Sequence, residues 1–114
     1  LDEISIGAPT RVAELRDGRI ETYVIDPEQF GFERAPLETL GVETVEDSLN
    51  IVRSVLAGHP GPARDIVALN AGAAIYAAGL ETSLTLGIEK AATVIDGGAA
   101  GRKLDELAAL SWAV

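Results

Sequence analysis

The sequence predicts an α/β chain in which a β-hairpin precedes three to four helices. Three features carry that expectation. Two alternating runs flank an Asp-Gly pair at Asp17-Gly18. An apolar stripe follows Thr44, a residue suited to capping a helix. A run of small and apolar residues fills 63–78, between Pro62 and Gly79. At 114 residues the chain can bury one modest core. Two domains with a cleft between them would not fit.

The hairpin joins residues 11–15 to residues 20–25. Asp-Gly is the favoured pair for a two-residue type I′ turn, because both central positions need positive φ. With Asp17 and Gly18 as the turn, Leu15 faces Ile20 and Val12 faces Tyr23. Glu14 then opposes Glu21, an unfavourable pair that Arg16 and Arg19 are placed to screen. Asp26-Pro27-Glu28-Gln29 starts a helix: Asp suits the N-cap, Pro the first position and Gln the third. Gly31 ends it after one turn, and residues 32–43 are expected to be irregular.

Helices should occupy the rest. Val45, Leu49, Val52 and Leu56 share a face of the first, which Gly58 stops. His59-Pro60-Gly61-Pro62 forms a turn holding the single His. The next helix opens at Pro62 or Ala63 and runs to about Ala78, with Gly79 beyond it. Apolar nearly all round, it should be buried, with neighbours close to its backbone. Thr82 or Ser83 caps a third helix with Leu84, Ile88, Ala91 and Ile95 inward, broken at Gly97-Gly98. The last helix spans 99–112, with Leu104, Leu107 and Ala108 inward. Two strands make a poor sheet alone, so the hairpin is expected to join a larger sheet whose other strands lie outside this chain.

Composition narrows the function. Eighteen Asp and Glu against nine Lys and Arg give a net charge of -9. Nucleic acid and anionic membrane both need basic footprints, so neither is an expected partner. The absence of Cys excludes disulfides, Cys-ligated zinc, iron–sulfur clusters and thiol catalysis, and is compatible with a reducing cytoplasm. The apolar fraction of 47% with 24% charged residues is that of a folded domain rather than a disordered chain. No apolar run approaches the roughly 18 residues of a membrane span. No basic stretch leading into an apolar run opens the sequence, so a signal peptide is not expected. The chain contains no Met. It is therefore expected to lack its true start, through loss of a short leader or tag or of a large preceding part.

Few residues could carry chemistry. Asp2-Glu3 is an adjacent acidic pair. On extended or turn backbone such a pair can bracket a hydrated Mg²⁺, which takes one or two carboxylates plus water and phosphate oxygens. Taken alone, the pair reads better as two solvated surface acids. His59 could serve as a general base, but no carboxylate stands near it in sequence, and an exposed turn His is the plainer reading. Asn70 interrupts the most apolar helix and must find hydrogen-bond partners. It either ties that helix to a neighbouring loop or faces a substrate. Gly87, Gly97 and Gly98 match neither the P-loop nor the dinucleotide-binding pattern. Lys90, Arg102 and Lys103 sit among acids on helix faces, the usual solvated arrangement.

In this order and at these spacings, several strings resemble anthranilate phosphoribosyltransferases. They are Leu1-Asp2-Glu3-Ile4-Ser5, Gly7-Ala8-Pro9-Thr10 leading into the hairpin, and Asp26-Pro27-Glu28-Gln29-Phe30-Gly31. Gly61-Pro62-Ala63-Arg64-Asp65, the run Leu69-Asn70-Ala71-Gly72-Ala73-Ala74-Ile75-Tyr76, and Ile95-Asp96-Gly97-Gly98-Ala99-Ala100 complete the set. No string is specific by itself, but the ordered set covers essentially the whole chain.

The resemblance implies that residues 1–114 form the C-terminal part of a nucleoside phosphorylase/phosphoribosyltransferase-type α/β domain, about a third of a family chain. It implies an enzyme that transfers a phosphoribosyl group from phosphoribosyl pyrophosphate to the amine of anthranilate, releasing pyrophosphate, in tryptophan biosynthesis. A cytoplasmic homodimer, paired through the missing N-terminal part, is implied as well. The family's adjacent Asp-Glu pair coordinates Mg²⁺ that holds the pyrophosphate, and that role carries over to Asp2 and Glu3. An acidic protein meeting a polyanionic substrate needs a metal between them, which also neutralises charge growing on the departing pyrophosphate. The family's glycine-rich loop and anthranilate-binding residues match nothing here, so the chain alone is expected to be inactive. Two alternatives stay open: a stand-alone accessory module derived from the family, and a portion of a related pyrimidine nucleoside phosphorylase.

Overall fold

The computed structural model describes residues 2–113. Leu1 of the first string lies outside them. The chain runs as a hairpin, two single 3₁₀ turns and four helices. Strands β1 (Thr10–Arg16) and β2 (Arg19–Ile25) pair antiparallel with Leu15 opposite Ile20 and Val12 opposite Tyr23. Asp17 and Gly18 take φ of 50° and 75°, the positive values that a type I′ turn requires. The inner face carries Val12, Glu14, Tyr23 and Ile25. Leu15, Ile20 and Val24 share the outer face, and Leu15 and Ile20 are 72% and 73% exposed. Among the described residues no third strand joins the pair.

A 3₁₀ turn at Pro27–Phe30 follows, with the full capping box: the Glu28 N–H donates to Asp26 Oδ1, and the Asp26 N–H donates to Gln29 Oε1. Arg34 closes back on Asp26 as an ion pair. The stretch 32–43 is not wholly irregular, because Leu37–Leu40 forms a second 3₁₀ turn. Its N-cap position is Pro36, which has no side-chain donor or acceptor to announce a helix start.

Helix α1 (Val45–Leu56) is capped by the Thr44 hydroxyl, α2 (Pro62–Ala77) begins at Pro62, and α3 (Leu84–Asp96) is capped by Ser83. Helix α4 spans Ala99–Ala113. Helices α2 and α3 form the heart of the fold. Arg64 at the start of α2 pairs with Asp96 at the end of α3 at 2.6 Å, so the two run antiparallel. They cross at Gly72 and Gly87. A Cβ at Gly72 would stand 2.5 Å from Ile88 Cα, and one at Gly87 would run into the Gly72 carbonyl. Ile6, Leu69 and Ile88 centre the core, flanked by Phe30, Phe32, Ile66 and Leu84.

Two expected apolar faces are left open. Leu104, Leu107 and Ala108 were expected inward, yet α4 buries no residue, and Leu107 is 61% exposed. Only its first turn leans on the body, where Gly101 approaches Leu56. On α1 the residue that reaches the core is Val55, while Val45 is 85% exposed. The physical reason is shared: the apolar stripes are present, but no element among the described residues lies over them. The radius of gyration is 15.3 Å, against about 13 Å for a compact domain of this length. The accessible surface is 7900 Å², against about 5,900 Å² for a folded monomer of this mass.

Candidate functional site

Asp2 and Glu3 are exposed and lie directly ahead of a tightly held segment. The Ile4 N–H donates to Asn70 Oδ1 at 2.9 Å, and Asn70 Nδ2 donates back to the Ile4 carbonyl at 2.9 Å. The same amide nitrogen donates to the Ile66 carbonyl one turn earlier in α2, so each polar atom of the Asn70 side chain is used. The next residues are held as well. The Ser5 N–H donates to Thr10 Oγ1, the Gly7 N–H to Ser5 Oγ, and the Ala35 N–H to the Ile6 carbonyl. Ile6 is completely buried. Asn70 thus ties its helix to a loop, and that loop is the one that presents the acidic pair.

Two adjacent carboxylates are hard oxygen donors that suit a hydrated Mg²⁺. They cannot form an all-protein cage, since the described residues hold no cluster of three or more His, Cys, Asp or Glu able to bind a metal. Among the described residues no Lys or Arg forms an ion pair with either acid. The donor set fits a hydrated Mg²⁺, most of whose ligands would come from outside this pair.

His59 stands apart. It is exposed, and its Nδ1 lies 3.1 Å from Ser54 Oγ across the end of α1, with its own N–H on the Ser54 carbonyl. No carboxylate appears in that arrangement, and it reads as a closure of the helix end.

Sequence reasoning missed a second polar cluster. Tyr76 of α2 donates to Glu14 Oε2 at 2.6 Å, Tyr23 donates to Glu14 Oε1 at 2.8 Å, and Arg16 donates to the Tyr76 hydroxyl at 3.3 Å. The two phenols, with a smaller contribution from Arg16, hold the Glu14 carboxyl below its usual range. Burial, followed by the hydrogen bond to Glu14, pushes the Tyr23 phenol up to about 12. At Glu14 the tyrosines thus outweigh Arg16 in favouring the ionised carboxyl. Tyr23 was discoverable as the diagonal cross-strand neighbour of Glu14. Tyr76 was not, being 62 residues away in the chain. This cluster lines a groove of about 620 Å³ between the hairpin and α2. Asp2 and Glu3 do not line it.

Residues 1–101 match the glycosyl transferase family, a/b domain. The chain belongs to that family. Its relatives include an anthranilate phosphoribosyltransferase of Methylococcus capsulatus, 62% identical over 111 residues, which are 97% of this chain and 33% of that protein. Another, from Thioalkalivibrio sulfidiphilus, is 59% identical over 94% of this chain and 32% of its own length. The crystal structure of anthranilate phosphoribosyltransferase from Thermus thermophilus superposes with a TM-score of 0.83 at 39% identity. It covers 93% of this chain and 31% of that one. The chain spans about a third of the length of the curated family members it matches.

Proposed function

We propose that this chain is the C-terminal part of the α/β domain of an anthranilate phosphoribosyltransferase, and that Asp2 and Glu3 serve Mg²⁺ binding in the complete enzyme. The observation that carries the reading is 62% identity across 97% of the chain to a protein of that name. In the reaction, the bond from the sugar C1 to the pyrophosphate oxygen breaks with its electron pair leaving on that oxygen. The anthranilate nitrogen bonds to C1 and loses a proton to solvent. Bound Mg²⁺ would neutralise the growing charge on the departing pyrophosphate. Asp2 and Glu3 supply anionic oxygens for that cation, and the segment of Ile4 to Gly7 supplies a fixed base for them. Without such a cation, the charge of -9 on these 114 residues would oppose a pyrophosphate held beside them.

The α2–α3 pair is scaffold in this reading. The uncovered outer face of the hairpin and the open stripes of α1 and α4 are the surfaces on which the remainder of the enzyme rests. The excess of accessible surface favours a portion of a larger body over a stand-alone module. Dimerisation and a cytoplasmic location belong to the same proposal, with the dimer contacts outside this chain. Among the described residues no helix is long and apolar enough to cross a membrane.

The test is direct. In the complete enzyme, Asp2→Asn combined with Glu3→Gln should lower Mg²⁺-dependent turnover at least about a hundredfold, since such charge stabilisation is worth several kcal/mol. Circular dichroism and the thermal midpoint should stay unchanged. Near-normal turnover in the double variant would end the metal assignment. Sequencing the coding DNA ahead of Leu1 tests the enzyme assignment separately, because a glycine-rich phosphate loop should be encoded there.

A further inference from the structure

We propose that Asn70 is a positioning residue for the Asp2–Glu3 pair, setting where the two carboxylates stand by gripping both backbone polar groups of Ile4. The inference rests on the metal role proposed above. Two hydrogen bonds to the N–H and carbonyl of one residue fix its orientation as well as its place, which a single bond does not. Glu3 is the next residue, and the Cα of Asp2 lies within roughly 7 Å of that of Ile4.

Anchoring the chain does not by itself require this grip. Ile6 is sealed in the core against Leu69 and Ile88, and Ser5, Thr10 and Ala35 already hold residues 5–7. What Asn70 adds is control of residue 4, the last fixed point before the acids. The third bond, to the Ile66 carbonyl, holds the amide in one rotamer. Its helix is itself immobilised by the close crossing at Gly72 and Gly87. Groups that orient metal ligands in this way commonly contribute tenfold or more to metal affinity.

The experiment uses the complete enzyme and reads binding rather than turnover. Mn²⁺ is titrated with inorganic pyrophosphate present and followed by electron paramagnetic resonance. Asn70→Ala should weaken Mn²⁺ about tenfold, raise the Mg²⁺ concentration for half-maximal rate to match, and leave the KM for anthranilate unchanged. In the Asp2→Asn, Glu3→Gln background the same Asn70 substitution should have no further effect on Mn²⁺, because its influence passes through those acids. If Asn70→Ala does not fold, Asn70→Gln keeps the amide's acceptor and donors one methylene further out and should give a smaller loss. If the acidic double variant loses Mn²⁺ while the Asn70 variants bind within twofold of wild type, the positioning role is overturned and the metal site stands. If the acidic double variant binds Mn²⁺ normally, the metal reading falls and this proposal with it. Equal Mn²⁺ losses from Asn70→Ala in both backgrounds would show a general structural effect and overturn it too.

Discussion

Glu14 shows how one carboxylate is made dependent on its neighbours. Two phenols donate to it, and each has its own titration shifted in return. Because the folded-state value of Glu14 is depressed, its contribution to stability is present above the ordinary 4.5 and is lost as pH falls through the folded value. Asp26, lowered chiefly by its hydrogen bond to Arg34, acts in the same direction. Tyr23 has the opposite sign: its contribution is complete below about 10 and is lost as pH rises towards 12. Glu14→Gln should therefore flatten the acid limb of the stability curve of the complete enzyme, measured by thermal midpoint across pH. A phenolate absorbance titration should place Tyr23 lower in that variant yet still above the free phenol, because burial is the largest of its causes. A return all the way to the ordinary value would show that the hydrogen bond dominates.

Helices α2 and α3 approach so closely because Gly72 and Gly87 have no side chains. Replacing a helix-interior Gly by Ala ordinarily gains roughly 0.5–1 kcal/mol from backbone entropy. At Gly72 the new methyl would meet Ile88 backbone, and at Gly87 the Gly72 carbonyl, neither of which can rotate away. Overpacking of this kind costs about 1–3 kcal/mol, so the clash wins. Gly72→Ala and Gly87→Ala should each lower the denaturation midpoint of the complete enzyme. Gly101→Ala is the contrast. Its nearest neighbour would be the Leu56 carbonyl at 3.6 Å, an ordinary contact, and the substitution should raise the midpoint slightly. A rise for all three would mean that the crossing yields more readily than its distances indicate.

As a whole, the 114 residues have more surface than their mass calls for. Apolar residues on the outer face of the hairpin, along α1 and along α4 stay substantially exposed. Surface of this kind marks an interaction face or an aggregation liability. The isolated chain should therefore unfold with poor cooperativity, bind a hydrophobic dye, and self-associate on gel filtration. It should also leave anthranilate and phosphoribosyl pyrophosphate unconsumed at any Mg²⁺ concentration. A sharp, concentration-independent unfolding transition of a monomer would favour the stand-alone module instead.

Local chemistry was legible in the residues. The Asp17-Gly18 turn, the hairpin register, the Asp26 capping box, the Thr44 cap, a cap at Thr82 or Ser83 and the stop at Gly79 each depend on neighbours a few positions apart. The ordered strings carried the family as well. Asn70 announced itself as a polar residue on an apolar helix that needed partners, but which loop it would hold was a question spanning 66 positions. Tyr76 meeting Glu14, Arg64 meeting Asp96 and the glycine crossing were likewise settled by packing. The inward face assigned to α4 failed, and the apolar face of α1 stayed open, for the same reason: periodicity shows which side of a helix is apolar, while burial depends on whether another element covers it.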